Sequence, residues 1–185
     1  MSRTDLSTYN NNWYKSAIGA GRLKQVLWYF INILFFINPL NPLSGLKCWL
    51  LKCFGARLGK NVVIKPGVNI KYPWKLTIGD HCWIGEAVWI DNLDEVKLGD
   101  HVCLSQGAML LTGNHNYKKT VFDLMVKKIT MEDGVWICAK AIVCPGVTAH
   151  SHAVLSVGSI ATQNLEAYTI YSGNPAVAVK QREIV

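Results

Sequence analysis

The stretch that decides the fold is residues 76–110, "LTIGDHCWIGEAVWIDNLDEVKLGDHVCLSQGAML". Within it, aliphatic residues recur at intervals of six, first at Ile78, Ile84 and Ile90, and then at Leu98, Leu104 and Leu110. A period of six fits neither an α-helix nor a ladder of hairpins. It does fit short strands separated by corners, with three strands to each coil.

The same spacing extends in both directions along the chain. Earlier anchors are Leu58, Ile64 and Ile70, and later ones, after a break, are Met131, Ile137, Val143, Ala149, Leu155 and Ala161. Glycines such as Gly79 and Gly99 follow anchors directly, where a turning backbone benefits from the absence of a Cβ. The pattern predicts a parallel β-helix whose coils cover one another. A β-sandwich would need hairpin turns, and only Asp133-Gly134 offers one.

Composition sets broad limits on what the chain can be. Its 185 residues are enough for one folded unit with N-terminal additions. The net charge of +7 is compatible with nucleic acid, an anionic membrane surface or a phosphate-bearing ligand, and does not separate them. The six cysteines form no CxxC pair and no secretory signal pattern opens the chain, so we expect a cytoplasmic protein.

The regular spacing breaks at one place, where the interval between successive anchors, Leu110 and Met131, grows from six to 21. Two shorter irregularities, at Leu76-Thr77 and Val96-Lys97, also follow the third strand of their coils. The break therefore falls at the same corner of the predicted prism. We expect residues 111–130 to form a loop that projects from this edge, where loops on a rigid scaffold often carry function.

The repeat also predicts which side chains meet at that edge. Coils lie about 4.8 Å apart, so Trp74, Asp94 and Asn114 should form one column, and Lys75, Glu95 and His115 another. This would place His115 above acidic side chains, with Asp94 or Glu95 orienting its imidazole. Imidazole can take a proton near neutral pH, so His115 is the candidate general base. His81 and His101 should stack on one another, and no metal site is expected.

Several motifs carry a resemblance to a known family. "IGDHCWIGEAVWI", "LGDHVCLSQGAM", "GVWICAKAIVCPGVTAHSHAVLSVGSI" and "YSGNPAVAVK" resemble the hexapeptide-repeat acyltransferases over roughly residues 58–182. With "TGNHNYKKTVFDL", the chain is similar to the colanic acid biosynthesis acetyltransferases within that superfamily. The resemblance implies a left-handed β-helix, homotrimers with active sites between subunits, acetyl-CoA as cosubstrate, and a loop histidine as general base.

The resemblance also implies roles for individual residues. The residues assigned to the cofactor are Trp136 as a wall near the thiol, Ala139 as a backbone contact, Val157, Thr162 and Gln163 as further contacts, and Lys180 facing a phosphate. Separately from the resemblance, the residues predicted to orient the base or to lie on the acceptor side are Asn92, Asp94, Glu95, Asn114 and Asp123. Gly85 stands where galactoside and maltose acetyltransferases have an asparagine, so their acceptor site does not transfer directly.

The predicted activity is transfer of acetyl from acetyl-CoA to a sugar hydroxyl of an exopolysaccharide precursor, with a sugar or glycan as acceptor and no nucleic acid partner. Two alternatives remain open. One keeps the fold and makes the enzyme an antibiotic or amino-sugar N-acetyltransferase. The other is a non-enzymatic β-helix binding module, which leaves the loop around His115 unexplained.

The chain divides into an N-terminal segment (1–57), the β-helix (58–172) and a C-terminal cap (173–185) that we expect to include a short helix. Residues 26–37 are apolar except Asn32, too short to span a membrane, and a second helix is predicted from Leu43 to Cys53. These helices either cap the first coil or pack on a neighbouring subunit, or else residues 23–53 form a peripheral anchor at the inner face of the cell membrane.

Overall fold

The aliphatic anchors of the repeat line the inside of a three-sided prism in a computed structural model, which describes residues 3–185. Every anchor from Ile64 to Ala161 is buried, and the first, Leu58, is half-buried against the same core. Small side chains four residues after the anchors, such as Val88 and Ala108, also face inward. The predicted parallel β-helix is therefore confirmed.

Three sheets form the faces of the prism. Face 1 consists of β1 (Arg57–Leu58), β4 (Leu76–Ile78), β7 (Val96–Leu98), β12 (Ile129–Met131) and β15 (Thr148–Ala149). Face 2 consists of β2 (Val63–Ile64), β5 (Trp83–Ile84), β8 (Cys103–Leu104), β13 (Trp136–Ile137), β16 (Val154–Leu155), β18 (Thr169–Gly173) and β19 (Ala176–Gln181). Face 3 consists of β3 (Asn69–Ile70), β6 (Trp89–Asp91), β9 (Met109–Leu111), β14 (Ile142–Val143) and β17 (Ile160–Ala161).

The register places each anchor directly on its equivalent in the next coil. Ile78 pairs with Leu98, and Leu98 with Met131. The register is kept across the long break after Leu110, because the chain returns to face 1 in phase. Corners are named below by the faces they join, so that corner 3–1 is where the chain passes from face 3 to face 1.

Close contact between coils, and not a turning backbone, explains the glycines that follow anchors. A Cβ on Gly79 would overlap the carboxylate of Asp100 in the next coil, and Gly99 has the same relationship with Asp133. Neither glycine has a positive φ. The left-handed backbone lies at His81 and His101, with φ values of 56° and 58°.

The N-terminal region is helical. It contains a 3₁₀ turn (Leu6–Thr8), α1 (Asn12–Ala17), α2 (Arg22–Ile31), a π-helical continuation (Asn32–Ile37) and α3 (Ser44–Cys53), and a second 3₁₀ turn follows at Pro73–Lys75. This agrees with the two helices predicted from the apolar runs. Within residues 3–185, no helix has the length and apolar character that crossing a membrane requires.

The helices cap the open end of the prism. On this side β2 and β3 are the last strands of their sheets, so one edge of each lacks a neighbouring strand. Side chains of the helices meet that edge: Trp28 Nε1 donates to the Ile70 carbonyl (2.8 Å), Lys47 Nζ donates to the Lys65 carbonyl (2.9 Å), and Ser44 Oγ accepts from the Ile64 N–H (2.8 Å). The predicted role as a cap on the first coil is thus confirmed.

The short C-terminal helix predicted from the sequence is wrong. Residues 173–181 turn back, and β19 pairs antiparallel with β18 at the far edge of face 2. The reason is local: β-branched Val177 and Val179 favour an extended chain, and the last coil offers an unpaired strand edge. The sheet of face 2 therefore continues beyond residue 172.

Candidate active site

Between faces 3 and 1 the chain leaves the prism and forms an antiparallel hairpin. β10 (Gly113–His115) pairs with β11 (Leu124–Val126), and the Lys127 N–H closes the base by donating to the Thr112 carbonyl (2.9 Å). The chain then returns to face 1 at β12. The interruption of the repeat thus corresponds to a projecting hairpin at corner 3–1, with His115 half-buried on its first strand.

The imidazole of His115 is held by Phe122. Its Nδ1 lies 2.9 Å from the Phe122 carbonyl oxygen, and the two rings stack with centroids 4.4 Å apart and planes 5° from parallel. A carbonyl can only accept, so the proton of the neutral ring is on Nδ1 and the lone pair is on Nε2. Phe122 has a φ of 52°, an uncommon value for an aromatic residue, and its carbonyl meets the ring from that conformation.

The N-terminal segment of the same chain packs against this hairpin. The Asp5 N–H donates to the Thr120 carbonyl (2.9 Å), and the Tyr9 ring lies 5.7 Å from the His115 ring. Tyr14 is buried, and its hydroxyl donates to the Leu93 carbonyl (2.7 Å). The segment therefore borders one side of the imidazole, a contact that sequence reasoning did not anticipate.

The predicted columns at corner 3–1 are wrong in one respect that matters for the site. On the return from the hairpin, Ile129 pairs with Val96, so the two lysines before Ile129 lie level with Asp94 and Glu95. His115 is outside that column because the chain has already left the stack. Within residues 3–185 neither acidic residue hydrogen-bonds to its imidazole, and the ring is held by Phe122 instead.

The other acceptor-side residues differ in accessibility. Asn92 is fully buried, and its amide exchanges two hydrogen bonds with the backbone of Tyr72, so it supports the corner. Asn114 is exposed on the hairpin. Asp123 forms an ion pair with Lys119 within the loop, with 2.9 Å between Oδ2 and Nζ.

One group of predicted residues lies around corner 3–1. Asn114 and Thr162 line the same cleft of about 280 Å³, together with Met125, Lys127, Cys144 and Pro145. Gln163 follows Thr162 at this corner and is exposed. The hairpin and the last coil thus form the two walls of one cleft.

A second group lies on face 2 and at corner 2–3. Trp136 is exposed on β13, and its Nε1 donates to Ser105 Oγ (2.9 Å). It borders a cleft of about 380 Å³ whose other lining residues include Trp83, Gly85, Cys103 and Leu104. Ala139 and Val157 follow on successive coils at corner 2–3, and Lys180 is exposed on β19.

The backbone carbonyl of Ala139 is hydrogen-bonded, whereas its backbone N–H is available to a ligand. Its carbonyl accepts from the Gly158 N–H (3.0 Å), whereas its own N–H has no hydrogen-bond partner among residues 3–185. An unpaired N–H at such a corner can donate a hydrogen bond to a carbonyl group of an extended ligand.

Two different sides of the prism therefore carry the predicted site residues. His115, Asn114 and Thr162 belong to corner 3–1, and Trp136 and Ala139 belong to face 2 and corner 2–3. Face 2 lies opposite corner 3–1, and the whole of face 3 separates corner 2–3 from corner 3–1. One chain therefore does not bring the two groups into one cleft.

Other histidines do not join this site. His81 and His101 stack as predicted, with ring centroids 5.1 Å apart and planes 4° from parallel. His150 Nδ1 lies 3.0 Å from Glu132 Oε1 in a pair at corner 1–2. In the part of the chain that the structure describes, no three His, Cys, Asp or Glu residues come together as a metal-binding group.

The comparisons with known proteins identify the class of protein. No family model matches the chain. It is 36% identical over 164 residues to "Putative colanic acid biosynthesis acetyltransferase WcaF" of Escherichia coli K12, an alignment that covers 89% of this chain and 90% of that protein. The chain therefore belongs to the hexapeptide-repeat acetyltransferases, in the group that includes WcaF.

Two solved structures share the fold. A hexapeptide-repeat acetyltransferase of Vibrio cholerae, complexed with acetyl coenzyme A, has a TM-score of 0.78 at 22% identity and covers 88% of each chain. A galactoside acetyltransferase in complex with coenzyme A has a TM-score of 0.77 at 22% identity, covering 87% of this chain and 82% of that one. The predicted fold class, the left-handed parallel β-helix of hexapeptide repeats, is confirmed.

Proposed function

We propose that this protein transfers acetyl from acetyl-CoA to a sugar hydroxyl in the biosynthesis of an exopolysaccharide of the colanic acid type, with His115 as general base. The observation that carries the proposal is the hydrogen bond from His115 Nδ1 to the Phe122 carbonyl, because it leaves the Nε2 lone pair available to the acceptor. The similarity to WcaF supports the exopolysaccharide context, and the fold shared with a galactoside acetyltransferase supports a sugar acceptor.

The reaction requires the protein to take one proton from the acceptor hydroxyl and to pass it on to the leaving thiolate. As the sugar hydroxyl attacks the thioester carbonyl, Nε2 of His115 takes its proton, since an alcohol is a poor nucleophile until it loses that proton. The imidazolium that results keeps its Nδ1–H bonded to the Phe122 carbonyl, which stabilises the positive charge. When the C–S bond breaks, the proton returns from Nε2 to the coenzyme A thiolate.

Acetyl-CoA, the cosubstrate, would bind along the exposed residues of the later coils. Trp136 would form a wall near the thiol, and the Ala139 N–H and the backbone near Val157 would contact the pantetheine arm. Thr162 and Gln163 would add contacts from corner 3–1 of the neighbouring subunit. Lys180 on β19 would meet a phosphate, which an ammonium group suits.

The proposed active unit is a homotrimer with its sites between subunits. His115 lies at corner 3–1 and Trp136 on face 2, so a neighbouring copy is needed to bring the base of one chain to the thiol wall of another. We propose that the enzyme is cytoplasmic and works beside the inner face of the cell membrane, with residues 23–53 as its membrane-contacting segment.

The decisive experiment combines acceptor choice with one substitution. The purified protein is given acetyl-CoA and a panel of hydroxyl-bearing sugars, amino sugars and macrolides, and thiol release and product mass are measured. His115→Ala is expected to lower turnover roughly 10²- to 10⁴-fold, whereas Tyr117→Ala, an exposed residue of the same loop, is expected to be nearly neutral.

Each result has a distinct meaning. Acetylation of amines alone would favour the amino-sugar or antibiotic N-acetyltransferase. No thiol release with any acceptor would favour a binding module. An unimpaired His115→Ala variant would remove the general base from the mechanism.

A further inference from the structure

Charge is distributed unevenly along this chain. No aspartate or glutamate occurs between Asp5 and Asp80, whereas ten of the 19 basic residues lie in that interval. This stretch therefore carries +10, and the remainder, with nine basic and 12 acidic residues, carries −3, which together give the net charge of +7. The whole positive excess belongs to the N-terminal helices, the first coil and the corner that follows it.

The positive residues surround the helix-capped end of the prism. Lys60, Lys65 and Lys71 are exposed at the three corners of the first coil, each within two residues of the end of its strand. Arg22 and Lys52 are exposed on α2 and α3. Lys71 pairs with Asp91 at 3.0 Å, so its charge is partly offset, and no such ion pair is formed by the other four within residues 3–185.

The same end presents an apolar surface. The inward side of the helices is used by the cap, where Trp28 and Phe36 are buried with ring centroids 5.1 Å apart. The outward side carries a stripe at spacings of four and three residues, which is one side of a helix, formed by Leu23, Leu27, Phe30, Leu34 and Ile37. All five are exposed, and Leu23 exposes 74% of its surface.

Amphipathic aromatic residues flank the stripe. Tyr29 on α2 and Trp49 on α3 are each 61% exposed, and Leu40 and Leu43 extend the apolar surface between the helices. Rings with one polar edge are favoured where hydrocarbon meets water. We define the capped-end surface as these residues together with the stripe, Arg22 and Lys52.

We propose that the capped-end surface binds an anionic lipid bilayer, with α2 lying in the plane of the headgroups. An apolar stripe inserts at the boundary between headgroups and acyl chains, and the surrounding lysines and arginines are attracted to the negative surface potential. The complete absence of acidic residues from this region removes the repulsion that an anionic surface would otherwise meet.

Charge also argues against a second copy of the chain as the occupant. A two-fold contact pairs a surface with itself, so it would bring Arg22 and Lys52 of one copy close to those of the other. Like charges placed against one another in an interface disfavour the contact. An anionic surface supplies the complementary sign, and its hydrocarbon region accepts the stripe.

The proposed trimer would strengthen this binding, a point that rests on the proposed function. In a three-fold assembly whose prisms run parallel to its axis, all three capped ends face the same way. Three weak contacts would then act on one bilayer at once, and the overall affinity would exceed that of one copy.

The test is flotation of the full chain with vesicles. Vesicles of phosphatidylcholine with roughly one third phosphatidylglycerol are compared with phosphatidylcholine alone, and the anionic set is repeated in about 0.5 M NaCl. The apolar variant is Leu27→Ser/Phe30→Ser/Leu34→Ser, and the charge variant is Arg22→Gln/Lys52→Gln. The control is Val179→Ser/Ile184→Ser, two exposed apolar residues at the opposite end of the prism.

The wild-type chain and the control are expected to float with anionic vesicles, and the apolar variant to lose about tenfold in recovery. The charge variant and the high-salt sample are expected to lose several-fold, and neutral vesicles to recover little protein. Equal recovery of the wild type and the apolar variant, or equal recovery with neutral vesicles, would refute the proposal.

A second measurement separates the loss of membrane binding from a loss of the fold or a change in oligomeric state. Circular dichroism and light scattering establish whether the apolar variant retains its fold and oligomeric state. If the wild type fails to float and the apolar variant alone changes its oligomeric state, the surface is an interface between copies and the proposal is overturned. Flotation does not depend on acetyl transfer, so failure here leaves the proposed activity untouched, and an inactive protein that floats would overturn only the activity.

Discussion

His115 Nδ1 lies 2.9 Å from the carbonyl oxygen of Phe122, seven residues further along the same hairpin. The bond fixes the tautomer of the neutral imidazole, and the parallel Phe122 ring fixes its plane. Either a carboxylate or a backbone carbonyl can accept from Nδ1–H and so orient an imidazole, and here the acceptor is a backbone carbonyl. The orientation of the proposed base therefore depends on the shape of the loop and not on an acidic side chain.

The Phe122 ring should contribute to turnover separately from its carbonyl. Phe122→Ala keeps the backbone acceptor and removes the stacked ring, so the imidazole is held less firmly. We expect kcat to fall roughly tenfold with little change in KM for acetyl-CoA, because loss of orientation affects the chemical step more than cofactor binding. Steady-state kinetics check this, and Phe122→Tyr, which retains the ring, should restore most of the rate.

The opposite result would be informative. If Phe122→Ala raised KM for acetyl-CoA and left kcat unchanged, Phe122 would be part of the cofactor site and not a positioning residue for His115.

A mixture of two inactive variants should regain activity if the site lies between subunits. His115→Ala removes the base and Trp136→Ala removes the thiol wall, so each homotrimer is impaired at all its sites. When the two chains are coexpressed with different tags and the trimers that carry both tags are purified, one interface in each mixed trimer unites an intact His115 with an intact Trp136. We expect these mixed trimers to show about a third of wild-type turnover.

The control is the double variant His115→Ala/Trp136→Ala coexpressed with the wild type. Activity of the mixed variants no higher than the mean of the two homotrimers would show that both residues act within one chain, which would contradict the site between subunits.

The faces of the prism could be predicted from the sequence because the signal is local and repeated. Anchors such as Ile84 and Leu104 recur at a constant interval, and each needs only its own coil to be buried. The position of the break was equally clear, since a gap in a constant interval marks the corner where the chain leaves. The cap was one of the alternatives that the sequence left open, since an apolar run too short to cross a membrane can cover the end of the prism or lie on a membrane surface.

The conformation of residues 111–130 could not be predicted, because the repeat gives no information about a segment that lies outside the stacked coils. Extending the column to His115 assumed a translation by one coil that the hairpin does not follow. The partnership with Phe122 depends on a positive φ at a residue that rarely adopts it, and only tertiary contacts select that conformation. The burial of Asn92 was equally hard to predict, because a polar residue beside a site can also be the residue that satisfies buried backbone groups.

Gly99 should be required for close stacking of the coils. A Cβ at this position would overlap the Asp133 carboxylate and lie 2.9 Å from the Asp133 backbone nitrogen, so neighbouring coils would have to separate. We expect Gly99→Ala to lower the free energy of unfolding by about 2–3 kcal/mol, as overpacking in a core does. Urea unfolding followed by circular dichroism measures it.

Gly45 provides the matched control. It lies in α3, an added Cβ there meets nothing within 4 Å, and its φ is not positive. Gly45→Ala is expected to be neutral or to stabilise by roughly 0.5–1 kcal/mol through helix propensity. Equal effects of the two substitutions would contradict the argument from close stacking.

Cys82 should make stability fall at alkaline pH. Its side chain is fully buried in the second coil, and burial raises the pKa of the thiol to about 11. In the unfolded chain the thiol ionises at its ordinary, lower pKa, so between the two values only the unfolded state loses the proton. Below the unfolded pKa, the protonated thiol of Cys82 therefore makes its full contribution to the free energy of unfolding. As pH rises towards 11 this contribution is lost, and the loss amounts to about 3 kcal/mol in total.

Cys82→Val isolates this contribution, because Val102 and Val135 occupy the equivalent position in the next two coils. Unfolding free energies of the two proteins are compared by urea denaturation between pH 7 and about 11. Other groups titrate in this range, but they are common to both proteins and cancel in the difference. We expect the wild type to lose stability relative to Cys82→Val as pH rises, and parallel curves would show that the thiol of Cys82 is not protected from ionisation by its burial.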